Sequence, residues 1–247
     1  MSRCPVCGGS AKLLDVVDFN KSCEEQRGKF VPLAGVPIYY EQCESCNFCF
    51  AGEICQWPKE RFSELIYNQD YKEFDPDYLG ARPLANAHAV LNGFKDATSS
   101  IRHLDYGGGD GLLSKTLTEH GWNSMTWDPF TQSSTDLRDL GCFNFITAFE
   151  VFEHVPDVHE LMGHLKKLLQ NPGIVIFSTL LLDGNIQGNS RLTWWYASPR
   201  NGHISLFSKR SLEILAAEYG LKFGSFSPGA HLFFTEIPAF AQHAIRI

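Results

Sequence analysis

Beyond residue 100 the chain switches repeatedly between short apolar runs and segments whose apolar residues fall three and four apart. The runs at 101–106, 124–127, 143–149 and 174–179 predict strands. The last, Ile174-Val-Ile-Phe-Ser-Thr179, is apolar almost throughout, as expected of a parallel strand covered on both faces. Residues 112–120 predict a helix stopped by Gly121. Residues 157–170 predict an amphipathic helix, with Val158, Leu161, Met162, Leu165, Leu168 and Leu169 on one face and Asn171-Pro-Gly173 ending it. Ser208 is placed to cap a further helix that runs to Tyr219 and stops at Gly220. Runs at 221–227 and 230–235 predict a closing pair of strands. Strands alternating with helices in this order predict an α/β fold, a doubly wound sheet over 101–247.

Upstream the pattern is different. Residues 58–67 predict a short helix, and Tyr67, Tyr71, Phe74 and Tyr78 make an aromatic connector. Residues 82–93 predict a second helix with Gly93 at its end. The stretch 58–100 is thus a helical linker packed on the main domain, or a lid. Before it, residues 1–57 hold seven of the eight cysteines. Cys4-Pro-Val-Cys7 and Cys43-Glu-Ser-Cys46 are two C-x-x-C pairs, enough for a tetrahedral four-thiolate zinc site. Gly8 and Asn47 follow the pairs, where a left-handed backbone is often needed. Cys49 extends the second pair, but Phe48-Cys-Phe50 reads as a strand leaving the knuckle, so Cys46 is the preferred ligand. Four protein ligands leave no open position, so this zinc is structural. A redox C-x-x-C is the alternative, although one redox site does not need two pairs.

Composition narrows the classes. The chain has 247 residues, of which 44% are hydrophobic, so it can build a core and is not disordered. No apolar run approaches the roughly 20 residues of a membrane helix, and the first residues lead into no apolar signal core. A cytoplasmic location with reduced cysteines is expected. The net charge is −7, and residues 1–60 carry six Lys or Arg against eight Asp or Glu. That is a poor surface for gripping nucleic acid.

The chemistry gathers at the ends of the predicted strands, where ligands bind in doubly wound sheets. Asp105-Tyr-Gly107-Gly-Gly109-Asp-Gly111 makes a tight turn from strand to helix, and Asp128 ends the next strand, placed to accept hydrogen bonds from both hydroxyls of a ribose. A dinucleotide fingerprint would need a third glycine where Leu112 stands. An acid two residues before the first glycine opposes a pyrophosphate but suits the ammonium of an amino-acid cofactor. The pattern therefore favours S-adenosylmethionine over NAD.

Four segments carry a family resemblance: Leu104-Asp-Tyr-Gly-Gly-Gly-Asp-Gly111, Asp128-Pro129, Phe149-Glu-Val-Phe-Glu-His-Val-Pro-Asp157 and Gly202-His-Ile-Ser-Leu-Phe-Ser208. Residues 101 to about 235 resemble the class I S-adenosylmethionine-dependent methyltransferases of the small-molecule group, with their Rossmann-like sheet. With the cysteine pairs ahead, the chain also resembles the zinc-carrying sugar C-methyltransferases, so residues 1–57 are expected to form a small zinc-ribbon-like module. The resemblance implies that Asp105, Gly107 and Gly109 contact the methionine part and Asp128 the ribose. Gly108, Asp110 and Pro129 complete the cofactor-binding set, and Phe149 and Glu150 lie near it. One departure stands out: residues 130–142 are too few for the family's usual extra helix and strand. Asp136-Leu137 is then the source of the adenine contact.

Glu150-x-x-Glu153-His154 follows the third strand. His154 is the candidate general base, because an imidazole titrates near neutral pH. Glu153 orients it or holds a substrate hydroxyl. The resemblance adds a tyrosine from the preceding region, Tyr71 or Tyr67. Two other readings stand beside this one. Glu150, Glu153, His154 and His203 form a divalent-metal site, or Glu153 and His154 merely cap the helix beginning near Asp157. The stretch 194–203 is an acceptor-site wall, with Arg200 for an anionic group, or an insertion packed by its tryptophans. The other histidines show no constellation. The expected activity is methyl transfer to a small molecule, with a sugar, nucleotide sugar or glycan intermediate as first guess. Its rivals are methylation of RNA or protein, a non-catalytic scaffold, and a nicotinamide oxidoreductase.

Overall fold

The computed structural model describes residues 2–94, 100–131, 136–186 and 191–245. The chain forms two compact units, each assembled from separate stretches: 1–76, 152–159 and 179–215 in the first, and 77–151, 160–178 and 216–247 in the second.

The first unit is built on a five-stranded antiparallel sheet. Its order is β1 (Ser2–Arg3), β2 (Ser10–Asp18), β3 (Pro37–Cys43), β4 (Cys49–Phe50) and β9 (Ser205–Leu206). Two short helices, α1 (Lys59–Leu65) and α2 (Tyr71–Phe74), belong to the same unit. The long β2–β3 connection is tied back by Asp18, whose carboxylate accepts from the backbone N–H groups of Asn20, Ala34 and Gly35 at 2.8–2.9 Å. Strand β9 comes from 155 residues beyond β4 in sequence and is placed by apolar burial. Phe48, Ile204 and Phe207 are fully buried, with the rings of Phe48 and Phe207 5.0 Å apart. The Ala51 N–H then donates to the Ile204 carbonyl, continuing the ladder.

The second unit holds the predicted α/β sheet, six strands in the order β10 (Lys222–Ser227), β11 (Ala230–Phe234), β8 (Leu169–Ser178), β7 (Phe143–Phe149), β5 (Arg102–Tyr106) and β6 (Asn123–Trp127). The four strands from β8 to β6 are parallel, and β11 runs antiparallel to both neighbours. Helices α3 (Ala81–Phe94) and α4 (Leu112–Glu119) pack Ala87, Val90, Phe94, Leu113 and Leu117 into one core with Phe145, Ile174, Ile176, Leu232 and Phe234. This is the Rossmann-like α/β architecture that the alternation of strands and helices predicts. The short 130–142 connection supplies a single helical turn, Leu137–Asp139, and no strand among its described residues, so β6 ends the sheet.

Two boundaries differ in detail from the sequence reading. Helix α5 (Val158–Leu168) ends earlier than predicted, and Leu169 to Gly173 belong to β8, because Leu169 pairs with Phe143 across the ladder. Helix α6 (Lys209–Glu218) has the expected cap. Ser208 Oγ accepts from the Ser211 N–H at 2.9 Å, and Ser211 Oγ accepts from the Ser208 N–H at 3.0 Å.

Candidate functional site

In the second unit, β5 runs straight into the loop Gly107-Gly108-Gly109-Asp110-Gly111. Gly107, Gly109 and Gly111 have φ of 72°, 54° and 78°, which glycine adopts without a Cβ clash. Gly108 is needed for a different reason: a Cβ there would overlap the Asp105 carboxylate and the Thr126 hydroxyl. A Cβ on Gly107 would lie 2.6 Å from Val151 Cγ2. Around Gly109 the same construction meets nothing within 4 Å, so the loop is packed from below and open at its middle glycine. The Gly109 N–H donates to Asp128 Oδ2 at 3.1 Å, while Asp128 Oδ1 accepts from Phe130 and Thr131. Asp128 therefore stands at the end of β6 with a fixed carboxylate beside the loop. Pro129 follows it, half-buried, and Asp110 is exposed on the loop. This cradle fits the cofactor expected from the sequence. It has a close-approach backbone, one carboxylate under the loop and one at the neighbouring strand end.

Asp105 is 3% exposed. Burial pushes its carboxyl up to about 7; the Thr147 hydrogen bond opposes this and the Asp128 charge adds to it. Thr147 Oγ1 donates to Asp105 Oδ1 at 2.7 Å and lies 3.0 Å from His103 Nε2. His103 is fully buried, and burial lowers it to about 3. His103 belongs to no motif in the sequence, and only the fold brings it to this carboxylate's partner.

Phe149 ends β7 and is half-buried. Glu150 has a left-handed backbone, φ 54°, which is uncommon outside glycine. Ser178 holds it there: Glu150 N–H donates to Ser178 Oγ at 2.8 Å, and that hydroxyl donates back to Glu150 Oε1 at 2.7 Å. In the same unit Trp127, Asp136, Leu137, Arg138, His164, Lys167 and Leu168 line a cavity of about 380 Å³. Asp136 itself is occupied by Arg138.

The first unit contains a second constellation. Ligand atoms of Glu153, His154 and His203 lie within 4.8 Å of one another, and the Glu153 carboxylate is fully buried. The Tyr67 hydroxyl is 3.1 Å from His154 Nδ1. Tyr71 packs edge-on against Tyr67, with ring centres 5.2 Å apart, and its own hydroxyl donates to the Asn201 carbonyl at 3.3 Å. His203 Nδ1 donates to the Tyr196 carbonyl at 2.8 Å, which leaves the lone pair on Nε2. Gly202 permits the closeness of this group, since a Cβ there would meet Tyr67 and His154 at 3.0 and 3.2 Å. Arg200 has a structural role. It donates to the Ile66 carbonyl at 3.0 Å and lies 3.8 Å over the Phe74 ring, so its guanidinium is not offered to an acceptor's anionic group.

In the same unit Cys4, Cys7, Cys43 and Cys46 converge, with Cys4 and Cys46 sulfurs 3.6 Å apart and Cys7 and Cys43 sulfurs 3.5 Å apart. Thiolates on one zinc stand slightly farther apart, about 3.8 Å for Zn–S bonds of about 2.3 Å. Both knuckles make the same turn. Gly8 N–H donates to Cys4 O and Asn47 N–H to Cys43 O, with φ of 69° and 61°. The donor set fits a four-thiolate zinc. Cys49 is in β4, fully buried, and its thiol is pushed up by burial.

Comparison with known proteins gives a consistent picture. Residues 78–224 match a family model described as a methyltransferase domain. The ubiquinone biosynthesis O-methyltransferase of Colwellia psychrerythraea is 28% identical over 112 residues, covering 36% of this chain and 44% of that protein. The chain thus spans less than half the length of that relative. Among solved structures, an O-methyltransferase family protein from Burkholderia thailandensis aligns at 15% identity with TM-score 0.50, over 76% of this chain and 67% of the other. Human N-acetylserotonin methyltransferase, solved with S-adenosylmethionine, aligns at 17% identity with TM-score 0.52, over 74% and 61%. These two likenesses concern the fold.

Proposed function

The chain belongs to the methyltransferase-domain family, and from that premise we propose that it is an S-adenosylmethionine-dependent methyltransferase acting on a hydroxyl-bearing small molecule. The cradle of Asp105, Gly107–Gly111 and Asp128 carries this reading. Asp128 accepts hydrogen bonds from the ribose hydroxyls, and Asp105 takes the ammonium beneath the loop. Gly107, Gly108 and Gly109 allow close backbone approach, with Asp110, Pro129, Phe149 and Glu150 bordering the cofactor. The cavity beside Trp127 and Leu137 takes the adenine ring. When bound, the sulfonium supplies an electrophilic methyl group.

The protein must then orient the acceptor and remove its proton. His154 is the base in this reading. With Tyr67 at Nδ1, Nε2 is the atom that receives the acceptor's proton. Glu153 holds the acceptor hydroxyl or the imidazole, and Tyr71 backs the Tyr67 ring. Sugars, nucleotide sugars and glycan intermediates are the first acceptors to screen, in line with the paired cysteines, and the ubiquinone biosynthesis O-methyltransferase relatives widen the screen to other hydroxyl acceptors. Zinc on Cys4, Cys7, Cys43 and Cys46 is structural in this account, and a reduced, cytoplasmic setting suits those thiolates.

The convergence of Glu153, His154 and His203 favours a second reading. One carboxylate and two imidazoles suit a divalent first-row metal, and the Tyr196 carbonyl fixes His203 as a ligand through Nε2. A metal there would bind the acceptor oxygen and lower its pKa, in place of a base. The test is transfer of labelled methyl from S-adenosylmethionine to a panel of phenols and nucleotide sugars. Chelator-resistant activity that is lost in His154→Ala supports the base. Activity lost to a chelator that spares the cysteine site, and restored by Mn2+ or Mg2+, supports the metal. No transfer to any hydroxyl acceptor, from protein that binds the cofactor, counts against hydroxyl methylation.

A further inference from the structure

The second unit contains a line of hydrogen-bonded polar side chains, buried except for the half-buried Ser124, that the methyl-transfer reading does not use. It starts on α4, where Ser114 Oγ is 2.8 Å from Ser124 Oγ on β6. Ser124 Oγ is 2.7 Å from His103 Nδ1 on β5, and His103 Nε2 is 3.0 Å from Thr147 Oγ1 on β7. Thr147 Oγ1 donates to Asp105 Oδ1 at 2.7 Å. Four elements thus contribute to one chain that ends on the carboxylate under the glycine loop. His103 and Thr147 are fully buried, and Ser114 is 4% exposed.

Once Asp105 is ionised, as it must be to meet an ammonium group, the direction of this chain is fixed by that last member. An ionised Asp105 only accepts, so Thr147 must donate to it. The Thr147 oxygen then receives the proton of His103 Nε2, and His103 Nδ1 accepts from Ser124. A buried histidine with both nitrogens in neutral hydrogen bonds stays uncharged, so the chain orients dipoles toward Asp105 without adding a competing cation. Among the described residues, the titratable groups around Asp105 are His103, which shares the Thr147 hydroxyl with it, and Asp128 at the end of β6. Lys115, on the same helix as Ser114, is exposed.

We propose that Ser114, Ser124, His103 and Thr147 form a positioning relay that keeps Asp105 an oriented carboxylate beneath the loop, ready for the ammonium end of the cofactor. The proposal rests on the S-adenosylmethionine reading. The relay explains why a fully buried histidine stands in the middle of the parallel strand Arg102–Tyr106. It also explains a threonine in the apolar strand Phe143–Phe149, at the register position paired with Asp105.

The test is calorimetric titration of the full, zinc-loaded chain with S-adenosylhomocysteine from pH 6 to 9. 5′-Methylthioadenosine, which lacks the amino-acid end, is titrated alongside. In Thr147→Val the loss of one hydrogen bond to a charged group should weaken S-adenosylhomocysteine about tenfold at pH 7 and raise the pH midpoint of binding by about one unit. The deficit should shrink at pH 9, methylthioadenosine should bind as in wild type, and Thr147→Ser should restore the profile. His103→Leu, which lets the Thr147 hydroxyl turn away, should shift the midpoint in the same direction, so the test does not hang on one variant. An unshifted pH profile in both variants overturns the relay. So does equal weakening of both ligands at every pH, which is the mark of a general packing defect. Wild-type protein that binds neither ligand overturns the cofactor reading itself, and the relay with it.

Discussion

The buried pair Asp105 and His103 makes a prediction about stability that needs no ligand. Burial raises the Asp105 carboxyl from 3.8 to about 7. The folded state therefore holds a proton that the unfolded chain releases near pH 4. That contribution to stability is complete below about pH 3.8 and is lost as pH rises through about 7. The shift of about three units corresponds to roughly 4 kcal/mol at about 1.4 kcal/mol per unit. His103 works the other way. Its folded value, about 3, lies below the ordinary 6.5, so its contribution is present above pH 6.5 and lost as pH falls through about 3. Over pH 4 to 6.5 the two slopes oppose and largely cancel in the native chain. Asp105→Asn keeps an acceptor for Thr147 but removes the titration. Between pH 4 and 7 the variant should gain up to about 4 kcal/mol relative to wild type, with most of the change above pH 4.5. Urea unfolding followed by tryptophan fluorescence at half-unit pH intervals measures this directly, and groups common to both proteins drop out of the difference. A difference that stays flat from pH 4 to 7 would refute a buried, proton-retaining Asp105.

Other consequences follow from the same geometry. Gly107→Ala places a Cβ 2.6 Å from Val151 at a φ of 72°, so it should cost about 2 kcal/mol in urea unfolding and abolish binding of S-adenosylhomocysteine. Protein purified without chelator should contain about one zinc per chain by elemental analysis, and this should be lost in Cys43→Ser together with a marked fall in Tm. Ser208→Ala removes the N-cap of α6 and the hydrogen bond to the Cys46 carbonyl, and should cost about 1–2 kcal/mol by denaturant unfolding.

Much of this architecture is legible in the residues because the signals are local. The apolar run at 174–179 is fully readable as a buried parallel strand. The glycine loop and Asp128 stand at strand ends that the alternation of runs already marks. The Cys4–Cys7 and Cys43–Cys46 spacings define two knuckles without any tertiary information. Contacts that depend on register across strands leave no such local signal. That Thr147 meets Asp105, and His103 meets both Thr147 and Ser124, follows from how β5, β6 and β7 slide against one another, which no single segment encodes. Strand β9 is two residues long and pairs with a strand far back in the chain, so it leaves almost no periodic signal. Arg200 illustrates a different difficulty. Its charge suggests an anion site, yet backbone carbonyl and aromatic partners absorb it, and composition cannot separate these fates. Tyr67 and Tyr71 are four residues apart, and only the backbone turn after α1 decides which hydroxyl reaches His154.

The central claim is that the loop from Gly107 to Gly111, with Asp105 below and Asp128 beside it, is a cradle for S-adenosylmethionine. The most direct measurement is calorimetric titration of zinc-loaded protein with S-adenosylhomocysteine, with NAD in parallel and Asp128→Ala as the control. The account predicts saturable binding of S-adenosylhomocysteine that weakens by about tenfold or more when the Asp128 carboxylate is removed, and no binding of NAD. Folded, zinc-loaded protein that ignores S-adenosylhomocysteine, or that binds NAD in its place, would contradict it.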